Sequence, residues 1–256
     1  MPDQMTLQER RDGATVVLTI DNPARRNALS MPIRVAMVEA LERIEGDRSV
    51  RAIVLTGAGT VFSSGGDISG MDAADLAAGR ERFRLTHRLV RLMIKSAKPI
   101  IAAVEGWCAG GAVGLALAGD TVVASADARF VMSFGKIGLV PDFGCLHTLP
   151  LRIGQGRARQ MMLYGEPIGA AEALQIGLID QMVPPGTALA AAIERSRLFD
   201  ATAPLPVALT KQYLANGLDA ALDWERDAQS TLFLTSDHAE GKSAFLEKRP
   251  PTFEGR

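Results

Sequence analysis

A single carboxylate stands in an apolar, glycine-punctuated stretch of the chain. Residues 134–149 read FGKIGLVPDFGCLHTL, and Asp142 lies between Pro141 and Phe143. Two interpretations are open. Pro-Asp-x-Gly is favourable turn chemistry, so Asp142 could cap a turn. Alternatively an apolar pocket holds it as a base, because apolar neighbours desolvate a carboxylate and raise its pKa toward the range useful for proton transfer.

Two glycine turns could supply a pair of oxyanion-binding amides. FSSGGDI (62–68) follows a strand pattern, and GWCAGGAVGLALAGD (106–120) follows another and leads into a helix. Glycine leaves its N–H unshielded by a β-carbon, and a helix N-terminus adds unpaired N–H groups and partial positive charge. If both turns aim at one carbonyl oxygen, each donor is worth roughly 3 kcal/mol. Each motif alone is a weak signal, since glycine turns usually only turn the chain.

Composition argues against several classes of function. The 256 residues contain 28 Lys plus Arg and 29 Asp plus Glu, for a net charge of −1, which does not favour a nucleic-acid partner. The only two cysteines are too few for a disulfide framework and form no CxxC pair, and three scattered histidines give no support for a metal site. Without a signal peptide or an apolar run of ~18 residues, we expect a soluble, cytoplasmic protein with no membrane partner.

Strands and helices alternate in the first two thirds of the chain. Asp12-Gly13 predicts a hairpin within residues 5–20, and a helix follows with Ser30 as its N-cap. The β-branched runs VRAIVLTGAG, PIIAAVEGWCAGG and DTVVASADARFVMS, the last with a turn at Asp127, predict buried strands. Further helices are expected at about 70–96, 111–119, 155–162 and 169–177. This alternation predicts an α/β fold with a mostly parallel sheet.

From about residue 186 the pattern becomes entirely helical. Leu222, Leu232, Leu234 and Phe245 exceed what a small helical tail can bury alone, so we expect this region to pack on the core and on a neighbouring subunit. We therefore divide the chain into a core, 1–197, and a C-terminal helical oligomerisation region, 198–256.

Five segments together resemble the enoyl-CoA hydratase/isomerase, or crotonase, superfamily, in order and spacing along essentially the whole chain. They are NPARRNAL (22–29), the two glycine turns, ARFVMSFGKIGLVPDFG (128–144) and AFLEKRPPTF (244–253). The resemblance implies a spiral of ββα units with a C-terminal helical trimerisation region. It also implies a homotrimer or dimer of trimers, an acyl-CoA thioester as substrate, and no separate cofactor, since CoA is part of the substrate. The amides of Gly66 and Gly111 would form the oxyanion hole for a thioester enolate.

The sequence departs from the hydratases of this family at both catalytic glutamates. Aligned on the glycines, those positions are Gly114 and Phe134. Hydration needs a group that positions and deprotonates water and a proton for the α-carbon, so losing both carboxylates argues against efficient hydration. Some isomerases of the family instead carry their acid just after the proline of the GxxP stretch. Asp142 matches that position, and the wording is closest to the phenylacetate-degradation isomerase type.

The resemblance also implies contacts with CoA. Arg26, Lys248 and Arg249 are cationic partners for its phosphates, and the C-terminal cations would reach the CoA of an adjacent subunit. The backbone at Ala28, Ser64 and Ile68 would flank the adenine and pantetheine. From their positions alone, we expect the pocket walls to contain methionine and phenylalanine side chains. These candidates are Met71, Met132, Phe134 and Phe143.

Other polar residues have weaker claims to chemistry. Asp67 follows an oxyanion candidate and is retained as a possible substrate contact, although Asp at such a place most simply orders its loop through backbone N–H groups. Cys145 and His147 lack an orienting third group, which favours packing or helix-start roles. His87 and His238 have charged sequence neighbours, so we expect both on solvated helix faces.

The sequence therefore predicts an acyl-CoA isomerase. It would shift a double bond, or isomerise a ring, through an enolate held by Gly66 and Gly111, with Asp142 as the acid/base. Two alternatives stay open: an enzyme of weak hydratase activity or another thioester transformation, and a non-catalytic acyl-CoA-binding protein. Recruitment to RNA is the alternative that the charge balance favours least.

Overall fold

The chain opens with a β-hairpin. The structure is a computed structural model that describes residues 6–256; Met5, the start of the expected first strand, lies outside the described residues. Strands β1 (Thr6–Asp12) and β2 (Thr15–Asp21) pair antiparallel. Gly13 has a φ of 61° in the turn between them, a left-handed conformation that glycine adopts without strain. The hairpin prediction is confirmed.

A six-stranded sheet forms the centre of the molecule. Its order is β1-β2-β3-β4-β6-β9, and every pair except β1–β2 is parallel. The added strands are β3 (Ala52–Gly57), β4 (Ile100–Val104), β6 (Thr121–Ser125) and β9 (Gln181–Val183). Strands β3 and β4 are buried along their whole length, as continuous β-branched runs in a parallel sheet require.

A second, three-stranded sheet lies beside the candidate site. Its order is β5-β7-β8, with β5 and β7 parallel. The strands are β5 (Trp107–Ala109), β7 (Arg129–Val131) and β8 (Ile168–Gly169). Nine α-helices connect and flank the two sheets within residues 6–256. They are α1 (Met31–Gly46), α2 (Leu76–Ile94), α3 (Gly111–Leu117), α4 (Cys145–Tyr164), α5 (Ala170–Gln175), α6 (Ala188–Ser196), α7 (Pro204–Leu214), α8 (Leu218–Leu232) and α9 (Ser236–Glu247).

The expected helix boundaries are wrong at two places. Helix α2 starts at Leu76 rather than near residue 70, because the side chain of Asp75 caps it by accepting from the Ala78 N–H at 2.8 Å. Helix α4 starts at Cys145 rather than near 155. It contains Pro150 and a non-helical Gly154, and these two helix-breaking residues conceal its first turns in the sequence.

The central sheet is covered on both faces. Helix α6 packs on one face, where Ala188, Ala192 and Ile193 meet Val54 and Ile101. The main apolar core covers the other face and includes side chains of α1, α2, α3 and α8. An α/β fold with a C-terminal helical region is thus confirmed; the division at 197/198 stays a prediction.

The apolar residues noted in the C-terminal region divide into two groups. Leu222 is fully buried and Leu232 is partly buried against the core, as expected. Leu234 and Phe245 are about half exposed, at 49% and 57%. Packing on the core is therefore observed, whereas packing on a neighbouring subunit stays a prediction. None of the helices in residues 6–256 combines the length and apolarity needed to cross a bilayer.

A buried lysine ties helix α7 to the central sheet. Lys211 Nζ bonds the carboxylate of Asp120 and donates to the Lys98 carbonyl at 3.1 Å. Asp120 in turn accepts from the Ile100 N–H at 2.7 Å, at the start of β4.

We expect Lys211→Ala to lower the free energy of unfolding by about 2 kcal/mol, because it removes hydrogen bonds made by a buried charge. Urea denaturation monitored by circular dichroism measures the change. Lys95→Ala is the matched control: Lys95 pairs with exposed Asp219, so the loss should stay within about 0.5 kcal/mol. Equal losses in both variants would contradict the structural role given to Lys211.

Candidate active site

The two glycine turns lie against each other. The Leu29 N–H donates to the Gly65 carbonyl at 2.7 Å, and the Ala109 N–H donates to the Ser63 carbonyl at 3.0 Å. A β-carbon added at Gly65 would lie 2.4 Å from the Ala109 carbonyl oxygen and 3.3 Å from the Gly111 nitrogen. Since Gly65 also has a φ of 88°, only glycine allows this close approach.

The amides of Gly66 and Gly111 are available as donors. Within residues 6–256, neither N–H donates to a protein acceptor. Gly111 is the first residue of α3, where N–H groups have no intrahelical acceptor. Both glycines line the same cavity, of about 440 Å³. The structure thus places two backbone donors, unpaired within residues 6–256, on one cavity.

Asp142 lines this cavity beside Gly111. A β-carbon added at Gly111 would lie 2.9 Å from Asp142 Oδ1. The Asp142 residue is only 5% exposed, and its Oδ1 is buried without a hydrogen-bond partner in residues 6–256. Burial and, after it, the negative charge of Glu225 raise the pKa of Asp142 to about 7, against the lowering effect of Arg34. An unpartnered carboxyl oxygen with such a pKa can take up a proton at neutral pH.

The turn-cap interpretation of Asp142 finds no side-chain contact to support it. Gly144, not Asp142, occupies the N-cap of α4, and that helix has no side-chain cap. The backbone carbonyl of Asp142 accepts from the Cys145 N–H at 3.1 Å. The turn is therefore held through the main chain, which leaves the side chain directed to the cavity.

The space of one family glutamate is filled by the turn that carries Asp142. A β-carbon added at Gly114 would lie 2.6 Å from Phe143 Cβ and 2.9 Å from the Asp142 carbonyl oxygen. No side chain fits at position 114 while the turn keeps this path. Phe134, at the other glutamate position, is buried and lines the cavity with its apolar ring.

Some of the expected CoA contacts lie at the cavity and others do not. Arg26, Ser64 and Ile68 line it, together with Phe134. Ala28, Asp67 and Lys248 are not among its lining residues. Their roles, like those of the other candidate site residues, stay predictions.

Asp67 and Arg249 have local partners. The Asp67 carboxylate accepts from the Ser69 N–H at 3.2 Å and pairs with Arg25 at 2.9 Å, so it orders its own loop. Arg249 is paired with Glu240 and Glu247 in the same chain. Of the expected CoA cations, Arg26 is therefore the one that lies at the cavity.

The expected pocket walls are partly wrong. Met71 and Phe134 line the cavity, but Met132 and Phe143 do not. Phe143 is instead fully buried behind the turn, with its ring 4.7 Å from the Arg34 guanidinium carbon. A lining residue that position alone could not indicate is Phe245, which α9 brings to the mouth of the site.

The expectation that His87 and His238 lie on solvated faces is wrong. Both are 2% exposed. His87 lies on the apolar stripe of α2 that includes Phe83 and Val90, a helical spacing that outweighs its charged sequence neighbours. His238 Nδ1 bonds the Ile137 carbonyl at 2.8 Å and so holds the cavity wall.

Glu225 is a buried acid that is not among the candidates predicted from the sequence. It is fully buried on α8 and bonds His87 Nε2 at 2.9 Å. The signal was present: Leu218, Leu222, Glu225 and Gln229 recur at helical spacing, which places an acid on the buried stripe.

The two cysteines are not nucleophiles of the site. Burial raises the pKa of Cys145 and of Cys108 far above the ordinary thiol value, so neither forms a thiolate nucleophile at neutral pH. His147 lies in the first turn of α4 with Cys145, in accord with a helix-start role.

Comparison with known proteins places the chain in a family. The profile of the enoyl-CoA hydratase/isomerase family matches residues 10–256. The chain is 38% identical to the 1,2-epoxyphenylacetyl-CoA isomerase of Escherichia coli, over 94% of this chain and 95% of that protein. It is 35% identical to the short-chain-enoyl-CoA hydratase of Clostridium acetobutylicum, over 93% and 94%. A solved enoyl-CoA hydratase from Mycobacterium avium subsp. paratuberculosis superposes with a TM-score of 0.88 at 33% identity, covering 97% of this chain and 98% of that one.

The fold and the paired glycine turns are those of a crotonase-type enzyme. The chain belongs to the enoyl-CoA hydratase/isomerase family. The predicted resemblance to the crotonase superfamily is confirmed. Its likeness to the phenylacetate-degradation isomerase type is confirmed by the 1,2-epoxyphenylacetyl-CoA isomerase match.

The fit between Gly114 and the Asp142 turn can be measured directly. We expect Gly114→Ala to destabilise the protein by about 1–3 kcal/mol, because its methyl group overlaps the turn. Gly156→Ala is the control: Gly156 lies inside α4 with nothing within 4 Å of an added β-carbon, so a gain of about 0.5–1 kcal/mol is expected from helix propensity. Thermal and urea unfolding of both variants give the answer; an unaffected Gly114→Ala would mean that the turn is not tightly packed there.

Proposed function

We propose that the protein is an acyl-CoA isomerase with Asp142 as the proton carrier. It would shift a double bond of an enoyl-CoA thioester or isomerise a ring in its acyl group. The observation that carries this proposal is the buried, unpartnered Oδ1 of Asp142 beside the free amide of Gly111. A buried carboxyl oxygen without a partner is costly to the fold. The cost is explained if this oxygen binds a proton that it takes from the substrate and returns to it during the reaction.

The two amides would act on the thioester. With its carbonyl oxygen between the N–H groups of Gly66 and Gly111, removal of a proton from an adjacent carbon places negative charge on that oxygen. Preorganised donors stabilise this charge more than they stabilise the neutral ground state, and that difference lowers the barrier. Because the donors are backbone groups fixed by glycine turns, they need no rearrangement when the charge develops.

Asp142 would serve as both base and acid. Its ionised carboxylate takes a proton from one carbon, and the resulting acid returns a proton at another carbon of the conjugated enolate. The double bond moves, no atom is gained or lost, and the carboxylate is regenerated. A pKa of about 7 suits both halves, since neither protonation state is strongly disfavoured at neutral pH.

The missing glutamates support isomerisation over hydration. Hydration needs a second group to position and deprotonate water, but Gly114 has no room for a side chain and Phe134 is apolar. The relatives named above include an isomerase and a hydratase, so the choice of reaction rests on these residues.

The substrate's CoA part would extend toward Arg26. Its guanidinium lies at the cavity, where it can bind a phosphate, and the backbone at Ala28, Ser64 and Ile68 would flank the adenine and pantetheine. Lys248 does not line the cavity of its own chain, which fits the expectation that it serves a neighbouring subunit in a homotrimer or a dimer of trimers. Asp67 would contribute by ordering the loop that carries the Gly66 amide.

Replacing Asp142 by Asn should reduce isomerisation of a 3-enoyl-CoA by about 10²–10⁴-fold, since the acid/base is lost while shape is kept. The conversion of 3-enoyl-CoA to the conjugated 2-enoyl-CoA is followed by absorbance, and hydration of crotonyl-CoA is measured in parallel. Asp219→Asn, an exposed carboxylate paired with Arg91 and Lys95, should keep wild-type rates. Hydration that survives Asp142→Asn, with no isomerisation by the wild type, would rule out the proposal. Tight acyl-CoA binding without any turnover would favour a binding protein instead.

The activity should depend on the ionisation of Asp142. Because the pKa of this buried carboxyl is raised to about 7 and the base must be ionised, kcat/KM should rise with pH through about 7 and level off above it. Stopped assays from pH 5 to 9 at constant ionic strength measure the profile. Since a phosphate monoester of CoA also titrates near pH 6, the 3′-dephospho-CoA thioester is the control and should give the same midpoint. A profile flat between pH 5 and 8 would contradict the role of Asp142.

A further inference from the structure

A buried glutamate on α8 holds the turn that carries Asp142. Glu225 Oε2 accepts from the Gly144 N–H at 2.9 Å. Burial raises the pKa of Glu225 to about 8, and the Gly144 and Phe143 N–H groups oppose that rise because they favour the ionised form. On the same helix, Gln229 Nε2 donates to the Val140 carbonyl at 2.7 Å. Helix α8 thus bonds both ends of the segment 140–144.

This turn needs to be held. Phe143 has a φ of 56° and Gly144 one of 72°. A left-handed conformation is strained for a residue with a β-carbon, and such a residue persists only where its surroundings enforce it. The turn directs the neighbouring N–H groups of Phe143 and Gly144 to one carboxylate, and successive N–H groups in a turn form a concave anion site. The carboxylate of Glu225 occupies that site.

His87 fixes the other oxygen of Glu225. Its Nε2 lies 2.9 Å from Glu225 Oε1, and its ring packs against Phe83 with a centroid distance of 5.6 Å. Burial lowers the pKa of His87 to about 4, with Arg91 contributing, so the imidazole is neutral at pH 7. The contact is therefore a hydrogen bond rather than an ion pair, and His87 donates from Nε2 when the Glu225 carboxyl is ionised.

The charged groups around Asp142 come from three helices. Helix α8 contributes Glu225, which raises the pKa of Asp142, whereas Arg34 of α1 and then His87 and Arg82 of α2 lower it. Arg34 is buried, donates from Nε to the Leu29 carbonyl at 3.0 Å, and favours the ionised forms of both carboxyl groups. Because Asp142 and Glu225 share this guanidinium charge, their titrations are coupled.

We propose that Glu225 and His87 form a positioning pair, in which the Glu225 carboxylate clamps the left-handed Phe143-Gly144 turn and so directs the Asp142 carboxyl to the Gly111 side of the cavity. Neither residue lines the cavity, so both act through Asp142. The inference rests on the proposed function, in which Asp142 carries the proton.

Charge gives the pair a second effect on the same carboxyl. A negative charge on Glu225 opposes ionisation of Asp142, so removing that charge at constant shape lowers the pKa of Asp142. A merely structural residue would change stability without moving this titration.

Steady-state kinetics on a 3-enoyl-CoA test the clamp. Glu225→Ala removes both acceptors, so kcat should fall about 10²-fold, as expected for a misplaced catalytic group, while KM changes less than threefold. Glu225→Gln keeps one acceptor for the Gly144 N–H and should recover at least tenfold of that loss. His87→Ala leaves Glu225 in place but without its hydrogen-bond partner, and a kcat between those of wild type and Glu225→Ala is expected.

Asp227→Asn is the matched control. Asp227 is an exposed carboxylate on the same helix, paired with Arg80 and Arg226, and the kcat of this variant should stay within twofold of wild type.

A titration independent of turnover tests the charge effect. Carbon-13 NMR of enzyme labelled at the aspartate carboxyl carbons, recorded without substrate, follows the titration of Asp142. The Asp142 resonance is assigned as the one that is missing from the spectrum of Asp142→Asn. The midpoint should move to lower pH in Glu225→Gln and stay unchanged in Asp227→Asn. This measurement stands even if the wild type isomerises no substrate, an outcome that would defeat the proposed function alone.

Two results would overturn the positioning pair. One is a Glu225→Ala enzyme with wild-type kcat. The other is an Asp142 midpoint that Glu225→Gln does not move, combined with no recovery of kcat relative to Glu225→Ala. Circular dichroism at the assay temperature checks folding. If Glu225→Ala is unfolded, Glu225→Gln and His87→Ala test the positioning pair instead. In both variants kcat and KM are compared separately with wild type, and the Asp142 titration midpoint is measured.

Discussion

The close approach of a turn to a helix N-terminus is the constraint on which the rest of the site depends. The Pro141–Gly144 turn can lie against α3 only because Gly111 and Gly114 have no side chain: a β-carbon at either position would meet Phe143 or Asp142 at less than 3 Å. This contact puts the Asp142 carboxyl oxygen against Gly111, whose amide is unpaired within residues 6–256. Desolvation of the carboxyl then follows from the packing, and the raised pKa of Asp142 follows from the desolvation.

The same contact connects the absence of a side chain at position 114 to the position of Asp142. A side chain at position 114 and the turn in its present path compete for one volume. The two arrangements are therefore alternatives, and one substitution cannot exchange them, because the turn would have to move when the side chain is introduced. Members of one fold can in this way divide between reactions while the amide pair of the glycine turns is kept.

Sequence reasoning recovered the features that local chemistry encodes. The Asp-Gly hairpin, the buried strands and the helix start at Gly111 each follow from a few neighbouring residues, and all are present. The two glycine turns and Asp142 were found because their residue types are unusual in their surroundings. Helix α4 was placed too late because its breakers, Pro150 and Gly154, lie inside a helix that tertiary packing maintains.

What the sequence did not reveal depends on contacts between distant segments. Glu225 lies more than eighty positions from the turn that it binds, and although helical spacing places it on the buried stripe of α8, neighbouring residues do not reveal which turn it contacts. His87 and His238 are buried despite their charged neighbours in the chain, because helical spacing and tertiary contacts decide which face of a helix is covered. The availability of the Gly66 and Gly111 amides likewise depends on which acceptors fold near them.

The position of Phe245 has a consequence for how the protein is made. This ring lines the cavity from α9, and His238 of the same helix bonds the wall at Ile137, a hundred and one residues earlier. The central sheet and both glycine turns are synthesised well before either side chain leaves the ribosome. The cavity therefore lacks part of its wall until α9 has been made and has packed onto Ile137.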